Sequence, residues 1–336
     1  MRYRLLGRSG LRVSELALGT MTFGDDWGWG ADAATSRLIF ERFAEAGGNF
    51  VDTANNYTDG TSEKLVGELI AAERDRWVVG TKYSLSIDPQ DPNAGGNHRK
   101  SLVQSLEQSL RRLNTDRVDL LWLHMRDAYT PIEEAVRALD DQVRLGKVLY
   151  VGISDSPAWV VAQANTLADL RGWSPFVALQ LPYSVASRDP ERELLPMAAA
   201  LGLAVTPWGV LSAGVLTGKP RDQLRWAEDA DSERAQNVIA ALRSVADEVG
   251  ATPAQVAIAW LLHRPTPPTL VPIVAARREE QIVENVAALD VRLDDEQLRS
   301  LDDAATPQLG FPRSFLESQS VRELIYGETF PKIAAA

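Results

Sequence analysis

The feature that most constrains the fold is an alternation of short apolar, β-branched runs with longer stretches patterned as amphipathic helices. Repeated strand–helix–strand units of this kind are typical of a parallel sheet, because a helical crossover returns the chain to the same end of the sheet. The eight candidate strands are SELALG (14–19), NFVDT (49–53), WVVGT (77–81), VDLLWLH (118–124), VLYVGIS (148–154), FVALQL (176–181), LAVTPW (203–208) and PTLVPIV (268–274). Eight such units predict an α/β fold, a (β/α)8 TIM barrel.

The chain carries an addition at each end of the eight units. Near the N-terminus, YRLLGRSGLRV predicts a β-hairpin with a turn at Ser9-Gly10. Residues 306–336 predict an irregular C-terminal extension. No long linker rich in Pro, Gly or Ser divides the chain, so residues 1–336 are expected to form a single barrel domain.

Two insertions lengthen the loops that follow the strands. Residues 84–99 follow the third candidate strand, and residues 212–232 follow the seventh. In TIM barrels, the loops after the strands build the active-site face. We therefore expect both insertions to shape or cover a pocket, the alternative being that they are tolerated surface insertions.

Composition excludes several classes of function. The 35 basic and 46 acidic residues give a net charge of −11, which argues against nucleic acid as a partner. The absence of cysteine excludes disulfides, thiolate nucleophiles and iron–sulfur clusters, and the three histidines are too few to favour a metal site. The N-terminus lacks the apolar run of a signal peptide, and no segment approaches about 20 consecutive apolar residues. These features predict a cytoplasmic protein that does not enter a membrane.

Polar or aromatic side chains stand at the ends of six candidate strands. They are Asp52, Lys82, His124, Ser154 with Asp155, Gln180 and Trp208. Because catalytic groups of TIM barrels collect at the carboxyl ends of the strands, we expect all of them at one barrel mouth. Taken singly, each has a structural alternative: Asp52 as a helix cap, Lys82 on the surface, and His124 as a core imidazole.

Tyr57, five residues after Asp52, extends this set. A tyrosine beside a lysine that is itself paired with an aspartate should have its pKa lowered from about 10 toward neutrality. Such a phenol can act as a general acid, and His124 can hydrogen-bond the same reacting oxygen. The set suits protonation of a carbonyl oxygen. Since it supplies no nucleophile and no metal, the hydride would have to come from a cofactor.

The sequence resembles the aldo-keto reductase superfamily, in its bacterial-type, NADP-dependent form, over essentially its whole length. The motifs that carry the resemblance are LALGTMTFG (16–24), NFVDTANNY (49–57), GTSEKLVGE (60–68), VVGTKY (78–83), LRRLNTDRVDLLWLH (110–124), GKVLYVGISD (146–155), TPWGVLSAGVLTGK (206–219) and PIVAARREEQIVENVAAL (272–289). The resemblance places the catalytic tetrad on Asp52, Tyr57, Lys82 and His124, with Tyr57 as the proton donor. It implies NAD(P)H-dependent reduction of aldehydes or ketones to alcohols.

The resemblance also implies the cofactor-binding residues. Ser154 and Gln180 would bind the nicotinamide carboxamide, and Trp208 would stack on the ring. Asp155 stands where the family usually has Asn, and a carboxylate can accept from the carboxamide but cannot donate to it unless protonated. The expected set is Gly19, Thr20, Met21, Asp52, Ser154, Asp155, Gln180, Trp208, Gly209, Val210, Leu211, Ser212, Ala213, Lys219, Ala275, Arg277, Gln281, Glu284 and Asn285.

We expect NADPH rather than NADH. Arg277 and Arg278 form a local basic pair in an acidic protein, and arginine suits bidentate binding of phosphate. The alternative is a charged helix N-terminus in which Glu279 and Glu280 balance the two arginines.

The substrate is expected to be a small carbonyl compound that binds in an aromatic mouth. The aromatic candidates are Phe23, Trp27, Trp29, Tyr57, Trp122 and Trp208, of which Trp122 is expected in the core. No residue pattern favours one carbonyl compound, one reaction direction or one oligomeric state. A cofactor-binding regulatory or sensor subunit with little turnover is the main alternative, and a barrel hydrolase or isomerase ranks below it.

Overall fold

The computed structural model of the chain describes residues 1–218, 232–265 and 268–333 and confirms the predicted barrel. Its eight parallel strands are β3 (Ala17–Gly19), β4 (Phe50–Asp52), β5 (Val78–Tyr83), β6 (Val118–Leu123), β7 (Val148–Ser154), β8 (Phe176–Pro182), β9 (Ala204–Trp208) and β10 (Ile273–Val274). They pair in chain order, and β10 pairs with β3. A parallel bridge between Val205 and Leu270 brings the segment before β10 against β9 and nearly closes the ring.

The predicted N-terminal hairpin is present, but its turn differs. Strands β1 (Tyr3–Leu5) and β2 (Arg12–Ser14) pair antiparallel, and the Leu6 N–H still donates to the Leu11 carbonyl at 2.9 Å. The loop is therefore the four residues 7–10, not a tight turn at Ser9-Gly10. Gly7 takes the left-handed conformation, with φ 60°, and a Cβ there would lie 2.1 Å from the Val177 carbonyl oxygen. The hairpin can thus approach β8 only because residue 7 is glycine.

Helices surround the barrel and extend the chain beyond it. They are α1 (Ala33–Glu45), α2 (Thr61–Ile70), α3 (Arg99–Leu113), α4 (Ile132–Arg144), α5 (Ala158–Arg171), α6 (Leu194–Leu201), α7 (Glu233–Val249), α8 (Pro253–Leu262), α9 (Glu279–Ala287), α10 (Asp295–Asp303), α11 (Arg313–Leu316) and α12 (Gln319–Tyr326). The last two lie in the C-terminal extension. In the described part of the chain, no helix is long and apolar enough to cross a membrane.

Large side chains fill the barrel interior beneath the mouth. Phe50, Leu120 and Trp122 are fully buried there, and Leu6 and Val13 of the hairpin segment pack against the same cluster. The expected core position of Trp122 is confirmed. Since this packing closes the amino ends of the strands, the site can form only at their carboxyl ends.

The packing of Trp122 supplies a test of the barrel core. Gly152 of β7 stands opposite Trp122 in the sheet, and a Cβ there would lie 2.3 Å from the indole ring. We expect Gly152→Ala to lower the free energy of unfolding by about 1–3 kcal/mol, because an extra methyl overpacks a filled core. Gly10→Ala is the matched control, since a Cβ at Gly10 meets no atom within 4 Å. Equal urea unfolding midpoints for the two variants would contradict this account of the core.

Candidate active site

The barrel brings the four expected catalytic residues together at the carboxyl ends of three neighbouring strands. Asp52 ends β4, Lys82 lies one residue before the end of β5, and His124 directly follows β6. Tyr57 lies in the loop after β4. Parallel strands in this register bring side chains that are 30 and 42 residues apart in sequence to one edge, as the spacing predicts.

A buried ammonium group lies at the centre of the set. Lys82 Nζ donates to the Asp52 carboxylate, to the Thr53 carbonyl at 2.8 Å and to the Tyr57 hydroxyl at 3.1 Å. Burial alone would lower the pKa of Lys82, but the charge of Asp52 and the contact with Tyr57 together raise it above its ordinary value. Lys82 therefore remains a cation although its side chain is fully buried.

The expectation that the pKa of Tyr57 is lowered was wrong. Its pKa is raised, not lowered toward neutrality, because desolvation outweighs the opposing effect of Lys82. The negative charges of Asp52 and Asp155 act in the same direction as desolvation. The phenol consequently keeps its proton at neutral pH, which is the state in which it can donate one.

The His124 imidazole and the Tyr57 ring pack edge to face, with the ring centroids 6.1 Å apart and the planes at 81°. Desolvation, aided by the charge of Lys82, lowers the pKa of His124 to about 3. The ring is therefore neutral at pH 7. Its Nδ1 is buried and, among the described residues, has no hydrogen-bond partner. A neutral imidazole at this position can hydrogen-bond a ligand oxygen without placing a second cation beside Lys82.

A second group of expected residues lies across the mouth. Ser154 and Gln180 are partners in the register of β7 and β8, and Trp208 ends β9. The Gln180 amide donates to Asp52 at 3.1 Å, and the Trp208 indole donates to Asp155 at 3.1 Å. Burial raises the pKa of Asp155, although Trp208 and Lys82 partly favour its charged form.

This side of the mouth fits a flat ring that carries an amide. The buried Ser154 hydroxyl makes no well-formed hydrogen bond within the described part of the chain, although it lies near enough to Asp155 to favour the charged carboxylate. Trp208 is 41% exposed at the end of its strand. A buried hydroxyl near a partly exposed aromatic ring is a suitable surface for a nicotinamide.

The other residues expected to bind the cofactor lie at the same end of the barrel. Thr20, which follows β3, donates to the Asp52 carbonyl at 3.1 Å. Residues 209–213 follow β9, and Ser212 and Ala213 are left-handed, with φ of 47° and 56°. Gly19 ends β3 and Met21 lies two residues later. Lys219 lies outside the described residues.

The expected adenosine side begins just after β10. The Arg277 N–H donates to the Gln281 side chain at 2.8 Å, and the Asn285 amide donates to the Ala275 carbonyl at 3.2 Å. Glu284, one turn along α9, is half-buried.

The two arginines before α9 remain available to a ligand. Within the described ranges, neither Arg277 nor Arg278 forms an ion pair, and both are exposed. Glu279, one of the acids that could have balanced them, instead pairs with Arg42 at 2.5 Å. Their positive charge is therefore only partly compensated by their neighbours.

The insertion after β5 lies at the same rim. Asn97 bonds the Met125 carbonyl at 2.7 Å, and the Asp127 carboxylate accepts from the Thr130 N–H at 2.6 Å. The Asn97 side chain thereby joins the 84–99 loop to the loop after His124. Residues 212–217 of the other insertion form a 3-10 turn, and the structure also describes its residues 218 and 232.

Sequence reasoning missed three further residues that lie next to the site, Glu63, Thr81 and Arg112. Glu63 is a fully buried carboxylate that accepts from Thr81 at 2.6 Å and from Arg112 at 2.6 Å. Thr81 directly precedes Lys82, which is the one sequence signal that could have drawn attention to it. Arg112 gives no signal, because its contact with Glu63 spans 49 residues.

The depressed pKa of His124 makes stability depend on pH. Below the ordinary pKa of 6.5, the His124 imidazole binds a proton in the unfolded chain, whereas in the folded chain it binds one only near pH 3. We therefore expect His124 to lower the free energy of unfolding by about 2 kcal/mol as the pH falls from 7 to 5. Urea unfolding of the parent and of His124→Asn at both pH values measures this difference. The same pH dependence in both proteins would show that His124 is charged in the fold.

Comparison with known proteins identifies the family. A model of the Aldo/keto reductase family matches residues 15–306. A norsolorinic acid reductase of Aspergillus flavus is 40% identical, over 94% of this chain and 84% of that protein. The norsolorinic acid reductase stcV of Emericella nidulans is 40% identical, over 92% of this chain and 82% of that protein. An aryl-alcohol dehydrogenase [NADP(+)] of Phanerodontia chrysosporium is 39% identical, over 90% of this chain and 85% of that protein.

These relatives come from fungi, so they give no support to the expected bacterial-type branch. They bear the names of oxidoreductases, and the family model spans all of the strand-end residues described above. The chain therefore belongs to the aldo/keto reductase family and is an oxidoreductase.

Proposed function

We propose that the chain reduces aldehydes or ketones to alcohols, with NADPH as the reductant and Tyr57 as the proton donor. The observation that carries the proposal is the contact of the protonated Tyr57 hydroxyl with the Lys82 ammonium at 3.1 Å, beside a neutral His124. This arrangement offers a proton and a hydrogen-bonding ring to one oxygen atom. It provides no side chain that would attack a carbonyl carbon.

The reaction adds two electrons and two hydrogens to the carbonyl group. A bound nicotinamide would supply the hydride that the carbonyl carbon receives. The Tyr57 hydroxyl gives its proton to the carbonyl oxygen, and His124 hydrogen-bonds that oxygen. Lys82 stabilises the resulting phenolate, and Asp52 keeps Lys82 charged. These interactions are strong because the group is largely removed from water. Tyr57 then recovers a proton from solvent.

The choice of NADPH rests on the adenosine side and on one relative. Arg277 and Arg278 are exposed cations in a protein of net charge −11, and Glu279 forms its ion pair with Arg42. The Phanerodontia chrysosporium relative is named for NADP(+). Ser154 would hold the carboxamide and Trp208 would face the ring, with Gln180 held in place by its bond to Asp52.

For the substrate we propose an aromatic aldehyde or ketone. Trp27 and Trp29 lie with their ring centroids 5.5 Å apart, and the Trp27 indole donates to Asp59 at 3.3 Å, two residues after Tyr57. An aromatic pair tied to the proton-donor loop favours a flat, apolar ligand. The names of the relatives, which refer to norsolorinic acid and aryl alcohols, agree with such a ligand. The complete tetrad favours turnover over the sensor alternative.

The proton donor is tested by Tyr57→Phe. We expect kcat for NADPH oxidation, followed at 340 nm with a panel of aromatic and aliphatic aldehydes and ketones, to fall at least about 100-fold because the general acid is lost. The dissociation constant for NADPH should not change. Tyr3→Phe is the control, since it removes a hydroxyl from the hairpin at the opposite end of the barrel. A Tyr57→Phe rate within a few-fold of the parent would exclude Tyr57 as the acid, and a parent without turnover would favour the sensor role.

Cofactor choice is tested by replacing both arginines with alanine. Arg277→Ala with Arg278→Ala should weaken NADPH binding by about 2–4 kcal/mol, the scale of lost charge-assisted hydrogen bonds, and leave NADH binding nearly unchanged. Quenching of tryptophan fluorescence gives both dissociation constants. Arg12→Ala with Arg111→Ala, two exposed arginines on β2 and α3, controls for the same change of two in net charge. Equal losses for the two cofactors would mean that the pair does not bind the 2′-phosphate.

A further inference from the structure

Glu63 of α2 is a fully buried carboxylate that the proposed reaction does not use. Its two oxygens bind two different elements. Oε1 accepts from the Thr81 hydroxyl of β5 at 2.6 Å, and Oε2 accepts from Arg112 Nε of α3 at 2.6 Å. Both contacts are short and charge-assisted, so the carboxylate is held in a single orientation.

The Thr81 contact fixes the strand that carries the ammonium group. Thr81 directly precedes Lys82, and successive side chains of a strand point to opposite faces. Thr81 therefore faces α2, while Lys82 faces the mouth, where it meets Tyr57 and Asp52. The hydrogen bond from the Thr81 hydroxyl to Glu63 therefore restrains the backbone next to Lys82.

The Arg112 contact fixes the loop that carries the phenol. Arg112 Nη2 donates to the Asn55 carbonyl at 3.4 Å, and the Arg112 side chain packs against Gly60, where a Cβ would lie 2.8 Å from it. Asn55 comes two residues before Tyr57, and Gly60 comes three residues after it. One guanidinium thus touches the Tyr57 loop on both sides of the phenol.

That loop needs external support. Thr58, Asp59 and Gly60 are consecutive left-handed residues, with φ of 45°, 54° and 90°. Non-glycine residues in this region cost of order 1 kcal/mol or more each, and they persist where the surroundings determine the conformation. Arg112 supplies part of that determination from outside the barrel.

We propose that the Glu63–Arg112 ion pair is a positioning element that sets the contact between Tyr57 and Lys82. The inference rests on the proposed function and extends it to residues outside the mouth. Glu63 and Arg112 act through Thr81, Asn55 and Gly60 and do not touch the reacting atoms.

The competing interpretation is that the pair only packs α2 against α3. Replacing a buried ion pair with apolar residues of similar volume is often neutral or stabilising, whereas removing one partner leaves an unpaired charge. The double variant Glu63→Met with Arg112→Met therefore separates the two interpretations. It keeps the helix packing and removes the directional bonds to β5 and to the Tyr57 loop.

We expect the double variant to fold and to lose between about 10- and 100-fold in kcat, as for reacting groups displaced by about 1 Å. The KM for the aldehyde and the dissociation constant for NADPH should stay within about threefold of the parent, because binding residues are untouched. Thr81→Val should lose rate in the same way, and Thr81→Ser, which keeps the hydroxyl, should restore it. A folded double variant with the parental kcat would overturn the proposal.

The matched control is a second buried ion pair, at the opposite end of the same strands. Arg74 pairs with Asp119 of β6 at 2.8 Å, and Asp119 also accepts from the Val79 N–H. Arg74→Met with Asp119→Asn removes this pair and keeps an acceptor for Val79. We expect it to leave kcat unchanged. An equal loss of kcat in this control would overturn the proposal, because any buried pair would then have the same effect.

A readout that does not need turnover separates this proposal from the proposed function. In protein with 13Cζ-labelled tyrosine, the Tyr57 signal is assigned from its loss in Tyr57→Phe and titrated with pH. Lys82 opposes the rise in the pKa of Tyr57, so a weaker contact should move the titration to higher pH in the double variant. An unchanged titration would overturn the positioning role even if no carbonyl compound were reduced. A parent without turnover but with a shifted variant titration would overturn only the proposed function.

Discussion

The architecture of the mouth depends on the burial of one ammonium group. A fully buried lysine is tolerated only when its charge and its hydrogen-bond donors are compensated. Lys82 meets this requirement with three partners from one segment, the Asp52 carboxylate, the Thr53 carbonyl and the Tyr57 hydroxyl. The end of β4, the end of β5 and the loop after β4 must therefore come together for the fold to be stable. The same requirement assembles the groups that the proposed reaction needs.

Desolvation then decides the charge state of each neighbour. It raises the pKa of Tyr57 and of Asp155 and lowers that of His124, so each is pushed toward its neutral form. Lys82 is the exception, because the carboxylate of Asp52 lies against it. The site thus combines one fixed cation with a phenol that holds its proton and an uncharged imidazole. This combination is suited to giving a proton to an oxygen that becomes negative, and the cation is already in place when that charge develops.

The sequence predicts those parts of the molecule that depend on periodicity. The meeting of Asp52, Lys82 and His124 follows from strand spacing, because side chains at the carboxyl ends of parallel strands share one edge. The pKa direction of Tyr57 could not be predicted in this way, since it depends on the depth of the phenol and on Asp155, which lies 98 positions later in the chain. Nor could the role of Gly7 in the hairpin, which is set by the Val177 carbonyl. The contact between Glu63 and Arg112 could not be predicted for the same reason, because only the packing of α2 on α3 brings them together.

Backbone strain concentrates at the carboxyl end of the barrel. Among the described residues, six of the seven non-glycine residues with positive φ follow strands at the carboxyl end of the barrel: Thr58, Asp59, Ser84, Asp155, Ser212 and Ala213. Polar contacts hold several of them. The Thr58 hydroxyl donates to the Phe23 carbonyl at 2.7 Å, the Ser84 hydroxyl bonds both the N–H and the carbonyl of Met125, and Asp155 accepts from Trp208. A loop held in a costly conformation by short polar contacts has few alternatives of similar energy. The folded structure therefore holds the strained loops of the mouth in one conformation. This preorganises the side chains of the site.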